Sequence, residues 1–154
     1  MTEVAIQCLW VEDEPESVVW ERHIARTMGW EVTLAKTAEA AAEALTAKRF
    51  DVVVLDLILP ANDYTAERGP IDQDSGLKIL AHIRDPQRVG QTPNSVKVLV
   101  FSCVLESATR RRTTAMLTSG SDYLTKGISD PNAISMALER INQELGAGVV
   151  PPGV

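Results

Sequence analysis

The stretch DVVVLDLIL, Asp51 to Leu59, decides the fold. It is almost wholly aliphatic and does not alternate with polar residues, the pattern of a central parallel strand covered on both faces. Asp56 breaks the run, and a carboxylate there is costly to bury without a partner. Outward from this strand, short apolar runs alternate with helical stripes in both directions. Upstream, Ala5 to Val11 predicts a buried strand, and Pro15 stands where a first-turn proline opens a helix. Trp20, Ile24 and Met28 follow at i, i+4, i+8 as its expected inner row, and Gly29 ends it. Trp30 to Ala35 is the next strand; Thr37 then caps a helix whose stripe is Ala38, Ala41, Ala42 and Leu45.

Downstream, Leu77, Leu80, Ala81 and Ile83 predict a third helix, and Val96 to Phe101 a fourth strand. Residues 106–119 predict a helix with a poor apolar stripe, and Ser121 to Leu124 a short strand. Asp130 and Pro131 open a last helix that carries Ile134, Ala137, Leu138, Ile141 and Leu145 on one face. Five strands alternating with five helices predict a doubly wound α/β domain over residues 1–145. GAGVVPPGV, from Gly146 to Val154, reads as a flexible tail.

Composition narrows the function. The 154 residues suit one domain, and 45% apolar with 23% charged residues is the balance of a globular protein. No apolar run has the ~20 residues of a membrane helix. The opening MTEVAIQCLWVEDE lacks a basic region and meets acids too early for a secretory signal, so a cytoplasmic location is expected. A net charge of −6 disfavours a direct nucleic-acid surface, with Arg110, Arg111 and Arg112 as a local exception that reads first as a solvated helix face and second as a contact for an acidic partner. Cys8 and Cys103 lack metal-ligand or redox spacing and read as buried thiols; His23 and His82 read as helix-surface residues.

In open α/β sheets, ligands bind beyond the carboxyl ends of the strands. At those ends stand Glu12, Asp13 and Glu14, then Asp56, Ser102 and Lys126. Two carboxylates about 4 Å apart repel by roughly 4 kcal/mol at an effective dielectric of about 20. Such a cluster raises a pKa or recruits a cation. Oxygen donors without imidazole or thiolate favour Mg²⁺ over zinc, with Mn²⁺ a close substitute. Beside such a cation, a carboxylate oxygen can attack phosphorus, Lys126 supplies a second positive charge, and Ser102 donates to a phosphoryl oxygen. Each residue alone has an ordinary reading: an acidic loop before a helix, a strand-end serine, an exposed lysine. Their convergence at four strand ends is what points to a site.

In that order, LWVEDEP, VVVLDLILP, DSGLKIL, VLVFS and GSDYLTKG resemble the receiver domain of two-component response regulators, over nearly the whole chain to about Leu145. The resemblance implies a flavodoxin-like (βα)5 sandwich with a five-stranded parallel sheet in the order 2-1-3-4-5. It implies Asp56 as phosphoacceptor, Asp13 as a direct Mg²⁺ ligand, Glu12 as a ligand mainly through water, and the Ile58 backbone carbonyl as a further ligand. Ser102 matches the switch hydroxyl, Lys126 the phosphate-pairing lysine, and Tyr123 the aromatic that turns inward on activation. A sensor histidine kinase or phosphotransfer protein is the implied donor. The implied output is a downstream protein partner, or a homodimer, on the fourth helix, fifth strand and fifth helix.

Three features depart from the family pattern. Gly127 follows Lys126 where the family usually has a cis proline, so the loop is not fixed in the same way. Ala61 to Ser75 makes the third strand–helix loop about a dozen residues longer than usual, where such loops run about 2–6 residues. It reads equally as a lid or partner-recognition loop and as a tolerated insertion. Ile58 and Val104 place aliphatic groups where the family tunes water access, which implies a long-lived phosphorylated form. Two other readings stay open. One is a receiver that signals by protein contact without phosphorylation. The other is a phosphohydrolase with Asp56 as nucleophile, disfavoured because Ile58 stands where a second acid is expected. A nucleotide-binding flavodoxin-like protein is weaker still, because EDEP follows the first strand instead of a glycine-rich loop.

Overall fold

The computed structural model describes residues 5–56, 75–102, 107–117, 123–125 and 132–147. Its strands are β1 (Gln7–Val11), β2 (Glu31–Ala35), β3 (Val52–Leu55), β4 (Lys97–Ser102) and β5 (Tyr123–Thr125). Its helices are α1 (Val19–Thr27), α2 (Ala38–Ala47), α3 (Ser75–Arg84), α4 (Ser107–Ala115) and α5 (Ala133–Ala147). All strand pairs are parallel, and the sheet order is β2-β1-β3-β4-β5. The doubly wound (βα)5 expectation is met in both element order and topology.

Connection handedness distributes the helices. The chain steps one way from β1 to β2 and the other way through β3, β4 and β5. Right-handed crossovers then place α1 on one face and α2, α3 and α4 on the other. The strands' period of two feeds both layers. Leu9, Val11, Val53, Leu55, Val98 and Val100 pack with Ala41, Leu45, Leu80 and Ile83 of α2 and α3. Cys8, Trp10, Val52, Val54 and Leu99 pack with Ala25 of α1 and Leu138 and Ile141 of α5. β3 is buried at every position, as its unbroken aliphatic run requires.

Local signals explain most element ends. The Thr37 hydroxyl accepts the Ala40 N–H at 3.0 Å and caps α2. Gly29, at φ +88°, closes α1 in the left-handed region. On α5, Ile134, Ala137, Leu138 and Ile141 are buried and Leu145 packs at their edge. That helix continues through Ala147, so Gly146 and Ala147 belong to it and not to a tail.

The expected inner row of the first helix is corrected. Trp20 is 65% exposed, whereas Val18 and Ala25 are buried. A row at i, i+4, i+8 drifts about 40° per step, so Trp20, Ile24 and Met28 spiral from the outside of the helix to its inside. Pro15–Val18 is a 3-10 turn, and α1 proper begins only at Val19. On α3, Ala81 is exposed and Ile79 is buried. Asp130, Pro131, Cys103 and most of the long third loop (61–74) lie outside the described residues.

Candidate functional site

β1 and β3 are neighbours whose outgoing connections run in opposite directions, which opens the crevice in which doubly wound sheets bind ligands. Register brings the acids together there. Val11 pairs with Leu55, so Glu12 and Asp56 leave adjacent strands at the same level. The Asp56 N–H donates to the Val11 carbonyl at 3.0 Å, and the Glu12 N–H donates to the Ala35 carbonyl at 2.9 Å. Both side chains are buried, at 2% exposure for Glu12 and 7% for Asp56, and Asp13 is half-buried. One carboxylate oxygen from each of Glu12, Asp13 and Asp56 lies within 4.8 Å of the others. The Glu14 side chain is exposed, and its N–H donates to Glu12 Oε2 at 3.3 Å.

Ser102, the last residue of β4, is wholly buried and its Oγ donates to Asp56 Oδ1 at 2.8 Å. A carboxylate inside an aliphatic strand needs such donors, and a hydrogen bond to an ion is stronger than one between neutral groups. Tyr123, which opens β5, is 6% exposed and packs with the α2–α3 core. The Arg110 guanidinium of α4 lies 5.2 Å from the centre of its ring. Burial pushes the Tyr123 hydroxyl above its ordinary pKa; the charge of Arg110 opposes this, and that of Asp56 adds to it.

The donor set is chemically consistent with a hard divalent cation. It offers only carboxylate oxygens at metal-bridging separations, without imidazole or thiolate, and so fits Mg²⁺ better than zinc. Cys8 is no competing nucleophile, because burial drives its thiol pKa far up despite a backbone hydrogen bond to Val54. His23 and His82 are exposed on α1 and α3, as expected.

Of the residues singled out in the sequence, Glu12, Asp13, Asp56 and Ser102 are brought to one edge, with Tyr123 nearby in β5. Ile58, Lys126, Val104 and Gly127 lie outside the described residues. Two neighbours were not anticipated. Thr125, buried at the end of β5, pairs in register with Ser102. Arg110, read from the sequence as part of a solvated face or a contact for an acidic partner, covers the Tyr123 ring. The arginine run itself is exposed, as a solvated face requires.

Fold and site together define a doubly wound domain with a buried acidic centre at its topological switch point. Solved structures that share this fold include response regulator receiver domains. A CheY-like receiver domain protein from Methanospirillum hungatei is 18% identical, with 94% of this chain and 96% of that chain covered at a TM-score of 0.66. The response regulator TrrA of Thermotoga maritima, solved in complex with Mg²⁺ and BeF, is 18% identical over 88% of this chain and 98% of that one, at 0.63. A Burkholderia pseudomallei response regulator, solved with a phosphorylated aspartic acid and a calcium ion, is 19% identical over 88% of this chain and 72% of that one, at 0.59. No protein-family model and no curated protein sequence matches the chain. The chain therefore has the receiver-domain fold, and no described helix is long and apolar enough to cross a membrane.

Proposed function

We propose that the chain is a phosphoacceptor receiver in which Asp56 takes a phosphoryl group from a histidine of a sensor kinase or phosphotransfer protein. One observation carries the reading: buried Asp56 stands beside Glu12 and Asp13 while accepting the Ser102 hydroxyl at 2.8 Å. An Asp56 oxygen attacks phosphorus in line. The phosphorus–nitrogen bond breaks, its electron pair goes to the donor imidazole, and that ring takes up a proton. Glu12, Asp13 and Asp56 would hold a Mg²⁺ ion, with the Ile58 carbonyl as a further ligand, and the ion supplies positive charge for the phosphoryl oxygens. Ser102 is placed to turn from the carboxylate to a phosphoryl oxygen, and Lys126 is assigned the opposite side. The TrrA complex with Mg²⁺ and the phosphorylated aspartate of the Burkholderia protein support this chemistry by analogy of fold.

The product replaces the single charge of the Asp56 carboxylate with a phosphoryl group of nearly two, a net gain of about one negative charge at the sheet edge. It shifts the partner surface only by interacting differently with its two packings. That surface is assigned to α4, β5 and α5, where it meets a downstream protein or a second copy, in the cytoplasm. Intact mass after incubation with acetyl phosphate and Mg²⁺ tests the reading. One phosphate adduct that needs Mg²⁺ and is lost in Asp56→Asn supports it. No adduct refutes phosphorylation by this small donor and leaves signalling by protein contact as the reading to pursue.

A further inference from the structure

The contact between α4 and β5 assigns a role that composition does not suggest. Tyr123 is an aromatic phenol at a sheet end, 6% exposed, with its ring among Leu55, Val100 and the α2–α3 core. The only cation described over its face is Arg110, whose guanidinium carbon lies 5.2 Å from the ring centre, within cation–π range. Arg110 is itself exposed, as are Arg111 and Arg112 beside it. Burial of the α4 backbone does not dictate its place, because Thr113 is the one buried side chain described on that helix. The guanidinium therefore spans two environments: one face on a buried ring near Asp56, the other open to water.

We infer that Arg110 is a positioning residue that holds Tyr123 in its buried rotamer and displays the state of that ring on the exposed face of α4. When the ring is in, the guanidinium is held on it; when the ring swings out, that contact is lost and Arg110 is released. The two events are linked, so the coupling is reciprocal. A partner carboxylate that takes Arg110 off the ring favours the outward rotamer, and a partner that accepts the held guanidinium favours the inward one. The inference deepens the receiver reading by naming how a rotamer beside Asp56 would reach the surface, and for that consequence it rests on that reading. The ring–guanidinium lock itself does not depend on phosphoryl transfer.

Nitration by tetranitromethane, with no phosphodonor present, reads the lock directly. Mass mapping follows the Tyr123 peptide separately from the Tyr64 peptide, and far-UV circular dichroism checks the fold of each variant. In the native chain Tyr123 is expected to react far more slowly than in urea. Arg110→Ala should raise its rate roughly three- to fivefold, the population shift expected for loss of a partly solvated cation–π contact. Arg110→Lys, which keeps the charge but not the planar group, should fall between, and Arg112→Ala should match the native chain. Equal rates in the native chain and Arg110→Ala would overturn the inference, as would an equal rise in Arg112→Ala. A missing phosphate adduct in the mass experiment would count against the phosphoacceptor reading while leaving this lock standing, so the two failures are distinguishable.

Discussion

Replacing Asp56 with asparagine should stabilise the domain without divalent cation and destabilise it, relative to the native chain, when Mg²⁺ is present. The carboxylate oxygens of Glu12, Asp13 and Asp56 lie within 4.8 Å of one another. At that separation one like-charge pair repels by about 3.5 kcal/mol at an effective dielectric of about 20. Hydrogen bonds and water offset much of this, since Ser102 donates to Asp56 and Asp13 is only half-buried. A net relief of about 1–2 kcal/mol remains. The asparagine carbonyl still accepts the Ser102 hydroxyl, so that hydrogen bond is kept. For a chain of this size the relief amounts to roughly 3–6 °C in Tm.

Mg²⁺ reverses the order. A cation that binds only the folded state adds about 2.7 kcal/mol at about a hundred times its Kd, more than the relief of about 1–2 kcal/mol in the variant. The native chain, with its three carboxylates, gains this at a lower Mg²⁺ concentration than the variant does. Thermal unfolding followed by circular dichroism at low ionic strength, in EDTA and then across a Mg²⁺ series, gives both signs. A variant that melts below the native chain in EDTA would refute the charge argument. Equal stabilisation of both chains by Mg²⁺ would show that Asp56 takes no part in holding the ion.

Three further predictions come from other parts of the fold. Ser102→Ala removes a wholly buried hydroxyl and one donor to Asp56, and is expected to cost about 1–3 kcal/mol in urea unfolding and to slow adduct formation with acetyl phosphate. Thr92 is buried, and its hydroxyl donates to the Lys48 carbonyl and accepts the Phe50 N–H; the near-isosteric Thr92→Val orphans both and should cost about 2–3 kcal/mol, with little effect on adduct formation. Glu144 is held below the ordinary glutamate pKa first by its hydrogen bond to Lys97, against an opposing effect of burial, and further by the charge of Lys97 and by Arg140. Its contribution is therefore present above the unfolded-state value and lost as pH falls through the lowered one. Because the carboxylate is well solvated, Glu144→Gln should cost less than about 1 kcal/mol at neutral pH, and the gap in urea midpoint should close under acid.

What the chain reveals by itself is whatever depends on near neighbours. The unbroken aliphatic run around Val52 to Leu55 marks a strand covered on both faces, because no solvent-facing position interrupts it. Thr37 and Gly29 end their helices through local backbone chemistry, and the α5 stripe keeps its phase from Ile134 to Ile141. Alternation of such elements fixes the sheet class, and the rule that ligands sit beyond the strand ends then singles out Glu12, Asp13, Asp56 and Ser102. Trp20 shows where local reading stops. Its row looks apolar along the sequence, but whether a helix turns that row inward depends on phase, which the 3-10 turn and the packing of Val18 and Ala25 decide. Only the tertiary structure brings Ser102 onto Asp56 across 46 positions or lays Arg110 over Tyr123. Strand register and helix placement determine those contacts, and neither residue's own neighbours along the chain encode them.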